Sequence, residues 1–127
     1  KLGIETNHFK AIAPVVSQLM ESSPLLPNTQ PISVYQINGA ADTTIPIDGG
    51  PRFGHVFLDA AESAALWANH FSCNQNPEIQ TLGADTLSIY TTCDNSKEIR
   101  YLRVENGGHG LLNSTMIADI WTFFQRF

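Results

Sequence analysis

Apolar and polar positions alternate in blocks along this chain, and the blocks are strand-sized and helix-sized. Residues 9–16 (FKAIAPVV) form a short, nearly continuous apolar run, the pattern of a strand buried on both faces of a parallel sheet. Residues 22–31 contain Pro24, Pro27 and Pro31 and predict a loop. Residues 32–37 (ISVYQI) predict a second strand rich in β-branched and aromatic side chains, halted at Asn38-Gly39 and followed by a polar loop over 40–44. Gly49-Gly50-Pro51 predicts a break.

The second half repeats the alternation. Residues 59–71 (DAAESAALWANHF) predict a helix with Ala61, Ala64, Ala65 and Ala68 on one face; Asp59 is the expected cap, with Glu62 three residues on. Residues 86–93 (TLSIYTTC) and 99–104 (IRYLRV) alternate and predict two neighbouring strands around a turn at 94–97. In the latter strand Ile99, Tyr101 and Arg103 face one way, and Arg100, Leu102 and Val104 the other. Gly107-Gly108-His109-Gly110 predicts a tight loop, and residues 114–127 a last helix capped by Ser114, with a stripe of Ile117, Ile120, Trp121 and Phe124. The order strand, strand, helix, strand, strand, helix is an α/β pattern, expected as a mostly parallel sheet with flanking helices.

Composition narrows the function classes. Among 127 residues, enough for one small domain, 43% are apolar, so a core can form, whereas only 15% are charged, low for an independent soluble domain. Such a surface fits a piece of a larger fold, expected to begin inside something longer or after a processing cut. The formal charge of −5 argues against a nucleic-acid grip, and no apolar run is long enough to span a membrane. Cys73 and Cys93 are either two buried thiols or a disulfide, and spacing does not decide. His8, His55 and His70 show no ligand spacing and are expected at the surface or at caps, so no metal is expected. Trp67 and Trp121 are expected in the core. Asn113-Ser114-Thr115 is a glycosylation sequon, expected to serve as a helix start instead.

Two polar clusters carry candidate chemistry, and both follow strands, where sites form in open parallel sheets. Asp42 taken alone reads as a turn residue bonded to its own backbone. His109 taken alone is either an incidental histidine or an imidazole projected by its glycines. Taken together, an acid after one strand and a histidine after a later one reproduce the last two members of the Ser, Asp, His chain order of α/β-hydrolases. There the acid holds the imidazole while the imidazole takes the serine proton. Asp48, beside Gly49-Gly50, is a rival acid but reads as a turn residue. No G-x-S-x-G elbow occurs; Ser17 lacks flanking glycines, and Ser33 and Ser88 lie within strands, so none is assigned as nucleophile.

These residues also carry a family likeness. From about Phe9 to the end, the chain resembles the polyhydroxybutyrate depolymerase and feruloyl esterase family of α/β-hydrolases. NGAADTTIPIDGG resembles that family's HGTADxxVPYxGG, Trp67 and Cys73 its W…C segment, and GGHG with Ile120-Trp121-Thr122-Phe123-Phe124 its GGGHxWPG…iWxFF ending. The resemblance implies that the chain is the C-terminal portion, residues 1–127, of one α/β-hydrolase domain whose nucleophile-bearing half lies just upstream. It implies Asp42 as triad acid, His109 as base and a Cys73–Cys93 disulfide, as in secreted or periplasmic members. Thr44, Ile45, Leu111 and Leu112 are implied at the substrate-site rim. The implied activity is cofactor-free hydrolysis of a small or polymeric carboxylic ester by the whole enzyme, with this portion inactive alone and partnered by the missing half. Asn38 replaces the family's histidine before the glycine, Leu111-Leu112-Asn113 replaces WPG, and Ile47-Asp48 occupies the place of its tyrosine; the substrate is therefore not carried over. The alternatives are a non-catalytic α/β binding module, or a relative of the peptidases or dienelactone hydrolases. A G-x-S-x-G upstream separates the enzymes from the module.

Overall fold

The computed structural model describes Ile4 and residues 8–127. Its centre is a five-stranded sheet in the order β1-β2-β7-β6-β5, formed by β1 (Ala11–Ile12), β2 (Ser33–Gly39), β5 (Glu78–Leu82), β6 (Asp85–Tyr90) and β7 (Ile99–Val104). The β1–β2 and β2–β7 ladders are parallel, whereas β7–β6 and β6–β5 are antiparallel. The sheet is thus evenly mixed rather than mostly parallel. A separate antiparallel ribbon pairs β3 (Gly50–Arg52) with β4 (His55–Phe57). Helix α1 (Ala60–His70) covers one face of the sheet and α2 (Ser114–Phe124) the other. The protein is a small mixed α/β domain.

Strand β2 is buried along its whole length because a helix lies over each of its faces. Val34 packs toward α1 with Trp67, Ala68, Phe71 and Ile99; Tyr35 and Ile37 pack toward α2 with Leu87, Leu102 and Phe123. The alternation expected of β7 holds: Ile99 and Tyr101 join the α1 side, Leu102 and Val104 the α2 side. Trp67 is in the core as expected. Cys73 and Cys93 form a disulfide over a 20-residue separation, tying the end of α1 to the segment after β6. Closing such a loop in the unfolded chain is worth roughly 3 kcal/mol in chain-entropy terms.

Several expected elements are displaced. The strand over 9–16 shrinks to two residues and one further bridge, Val15 to Ile37. Pro14 has no N–H to give a ladder, and Val16 turns to φ 48°, a left-handed value that ends the strand. The break at Gly49-Gly50-Pro51 is instead the entry to the β3–β4 ribbon, and β5 occupies a stretch given no element. Asp59 caps α1, its Oδ1 accepting from Glu62 N at 2.9 Å. The buried stripe of α1 is Ala60, Ser63, Ala64, Trp67 and Ala68, with Ala61 exposed. Asn113, not Ser114, caps α2, its Oδ1 accepting from Met116 N at 3.0 Å. That helix ends at Phe124 and buries Phe123; Trp121 and Ile117, expected inward, are 62% and 53% exposed. Two polar contacts accompany the roll of α2: Asp119 accepts a short hydrogen bond from the Tyr35 hydroxyl on β2, and just past the helix Arg126 grips buried Glu98 with both terminal nitrogens.

Candidate active site

The parallel register of β2 and β7 pairs Gly39 with Val104, so both strands end at the same level on the same edge of the sheet. The loops that leave them therefore start side by side. They are stitched by Ala40 N–H to Val104 O and Ala41 N–H to Gly107 O, each at 2.9 Å. Such close approach requires glycine at 39: a Cβ there would lie 2.1 Å from Gly107 O.

Asp42 and His109 meet above this seam, with His109 Nδ1 2.9 Å from Asp42 Oδ2. The other carboxylate oxygen, Oδ1, accepts from the backbone of Thr44 at 2.7 Å and Ile45 at 3.0 Å. Asp42 is thus both the turn residue its local sequence suggests and the partner of a distant histidine, one oxygen for each. With the carboxylate ionised, Nδ1 carries the imidazole proton and Nε2 keeps its lone pair. The Asp42 side chain is 1% exposed and that of His109 43% exposed. The acid is shielded while the imidazole faces outward, the arrangement needed to take a proton from a group arriving from outside. Among the described residues, Asp42 is the only hydrogen-bond partner of the His109 side chain.

Of the glycines beside His109 only Gly107 is required by size, and none is required by left-handed backbone. None of Gly107, Gly108 and Gly110 has positive φ, and a Cβ on Gly107 would lie 2.9 Å from Val104 Cγ1. Asp48 is exposed in its turn and makes no bond to His109. Ser17 is exposed after β1, Ser33 is buried with its Oγ accepting from Glu98 N, and Ser88 lies within β6. None of the three bonds to His109. Of the four residues expected at a substrate-site rim, Thr44 and Ile45 are half-buried and hold Asp42 through their amides. Leu111 turns inward to the α2 core, and Leu112 stands out at 51% exposure. An open cavity of about 650 Å³ runs beside the histidine loop, lined by Val104, Gly107, Gly110, Leu111 and Asn113 among others.

Beneath the acid loop lies a buried polar chain that periodicity does not reveal. Ser63 Oγ accepts from Leu19 N–H and donates to Gln36 Oε1. The Gln36 amide donates to Asn38 Oδ1 and Ala60 O. Asn38 Nδ2 donates to Gln18 Oε1, and Gln18 Nε2 to Pro46 O in the loop that holds Asp42. Among the described residues every buried side-chain polar atom has a partner. The available signal was parity: Gln36 and Asn38 lie two apart on the same face of a fully buried strand.

Electrostatics at the site give a pH expectation. Burial pushes the Asp42 carboxyl up, but hydrogen bonds from His109, Ile45 and Thr44 and the His109 charge outweigh it, leaving the group below its ordinary value. Burial of Glu98 is likewise outweighed by Arg126 and Arg100. A carboxyl with a lowered folded pKa binds fewer protons in the folded state. Its contribution is therefore complete above the unfolded pKa of about 4 and is lost as pH falls through the folded value. The urea midpoint is expected to drop as pH falls below about 4, less steeply in Glu98→Gln; a midpoint that rises on acidification contradicts this.

Among the described residues no group of three or more His, Cys, Asp or Glu is placed to hold a metal ion, and no helix is long and apolar enough to cross a membrane. No protein-family model matches the chain, and no curated protein matches it.

Proposed function

We propose that this chain supplies the acid and the base of a Ser-Asp-His triad in a carboxylic ester hydrolase, as the C-terminal portion of an α/β-hydrolase fold. The observation that carries the proposal is the Asp42–His109 hydrogen bond at the carboxyl ends of two adjacent parallel strands. In this reading His109 Nε2 takes the hydroxyl proton as a serine oxygen attacks the ester carbonyl, and then hands it to the leaving alcohol. A water, deprotonated by the same nitrogen, hydrolyses the acyl-enzyme. Asp42 holds the tautomer and stabilises the imidazolium without itself becoming protonated. The chemistry needs no cofactor.

The nucleophile comes from residues outside these 127, since no serine here stands in an elbow or bonds to His109. Leu112 and Ile45 supply apolar rim beside the imidazole for an acyl or alcohol group. The disulfide supports an oxidising compartment, and so a secreted or periplasmic enzyme.

The 127-residue chain alone is expected to leave a short-chain p-nitrophenyl ester intact above the buffer rate. The assembled enzyme, this chain together with the segment bearing the nucleophile, is expected to hydrolyse it. Turnover by the isolated chain that His109→Ala abolishes would mean that a serine within these residues is the nucleophile. An assembled protein with no turnover would favour a non-catalytic module.

A further inference from the structure

We propose that the free edge of β5 is a homodimer interface, at which two copies join their sheets antiparallel across a two-fold axis. Strand β5 pairs with β6 on one side only and ends the sheet. Its sequence, Glu-Ile-Gln-Thr-Leu, has no lysine, no proline and no bulge to blunt the edge, and its one charge, Glu78, sits at the start of the strand. Ile79 is 57% exposed and Leu82 49% exposed.

The edge is complementary to itself. Antiparallel pairing centred on Gln80 places Glu78 opposite Leu82 of the second copy, Ile79 opposite Thr81, and Gln80 opposite Gln80. No carboxylate meets another, β-branched residues face each other, and the central amides can exchange hydrogen bonds. The same register serves whether the even or the odd residues of β5 turn their backbone groups outward. Pro77, which ends the strand, falls opposite Gly83, which leaves room for its ring.

A second surface lies over the same edge. Leu87 and Ile89 of β6 pack toward α2, and their register partners Gln80 and Glu78 share that face, as does Leu82. On α2, Asp119 points to Tyr35 on β2. Ile117 and Trp121 occupy the opposite flank of the helix at 100° per residue, the flank turned away from β2. A two-fold axis normal to the sheet keeps α2 of both copies on one face, bringing the exposed Trp121 and Ile117 of each toward the seam above the paired strands. That outer flank, with Ser114, Ala118, Thr122 and Gln125, has no charge to desolvate.

Sedimentation velocity over a concentration series tests the proposal, with a dimer of the 14.0 kDa chain expected. Leu82→Lys combined with Trp121→Lys alters two exposed side chains and is expected to weaken the apparent dissociation constant at least tenfold, with far-UV circular dichroism unchanged. The register has its own readout. Both native cysteines are in the disulfide, so Gln80→Cys introduces the sole thiol. A short bis-maleimide is expected to join two Gln80→Cys chains, and not two Gln30→Cys chains, whose thiols lie away from β5, at the end of the sheet where β1 and β2 begin, beside Lys10 and Ile32. A single 14.0 kDa species at every concentration, or cross-linking as efficient through Gln30→Cys as through Gln80→Cys, overturns the interface.

Discussion

Under the proposed triad, Asp42→Asn in the assembled protein is expected to lower kcat for a p-nitrophenyl ester by roughly 10⁴-fold while leaving the fold intact. The amide is nearly isosteric with the carboxylate and can still accept from Thr44 and Ile45 through its oxygen. Its NH₂ would then face His109 Nδ1 as a donor, forcing the proton to Nε2, where the lone pair is needed. His109→Ala is expected to cost at least as much, because it removes the base itself. The two losses should not add: the double variant should sit near the worse single one, since the acid acts only through the imidazole. Steady-state kinetics on the three variants checks this. A change in KM alone would mean that the pair contacts substrate without serving as acid and base.

Gly39→Ala is expected to be the most destabilising single methyl in the chain. The added carbon would stand 2.1 Å from Gly107 O and 2.5 Å from its carbonyl carbon, both backbone atoms that no rotamer change can move. Either the histidine loop lifts or the two loop-to-loop hydrogen bonds break. A loss of more than about 3 kcal/mol follows, roughly 10 °C in Tm for a chain of this size, with His109 carried away from Asp42. Gly110→Ala is the control, since nothing lies within 4 Å of a Cβ there; its effect is expected to stay within about 0.5 kcal/mol. Equal melting temperatures for the two variants would contradict the proposed role of Gly39.

The same contact shows why part of the site could be read from the chain. Strands β2 and β7 are apolar and sharply ended by polar residues, so placing Asp42 and His109 after strands needs only local pattern. That the two strands are neighbours in parallel register is a tertiary fact, and the Asp42–His109 bond depends on it. The elements that went unread have weak local signals. Strand β5 is exposed at four of its five residues, so it has no buried face to give a period of two. Pro51 in β3 suggests a break, yet a two-stranded ribbon leaves half its backbone groups unpaired and tolerates proline there. In α2, Ile117, Ile120, Trp121, Phe123 and Phe124 span an arc of about 160° at 100° per residue, so periodicity marks one broad apolar stripe without showing that its Phe123 edge is the part that packs inward. Its roll is accompanied by Asp119 meeting Tyr35 and Arg126 meeting Glu98, pairings between residues 84 and 28 positions apart. The Gln18–Asn38–Gln36–Ser63 chain is hidden for a related reason: polar residues ordinarily signal exposure, and only the packed fold shows these to be buried and satisfied.

Whether this pair serves a serine elsewhere is tested most directly by treating the assembled enzyme with a fluorophosphonate and mapping the modified residue by mass spectrometry. The proposed triad predicts one phosphonylated serine, outside residues 1–127, with labelling slowed at least a hundredfold by His109→Ala. A label on Ser17 or any other serine of these residues, or no serine labelled at all, would contradict it.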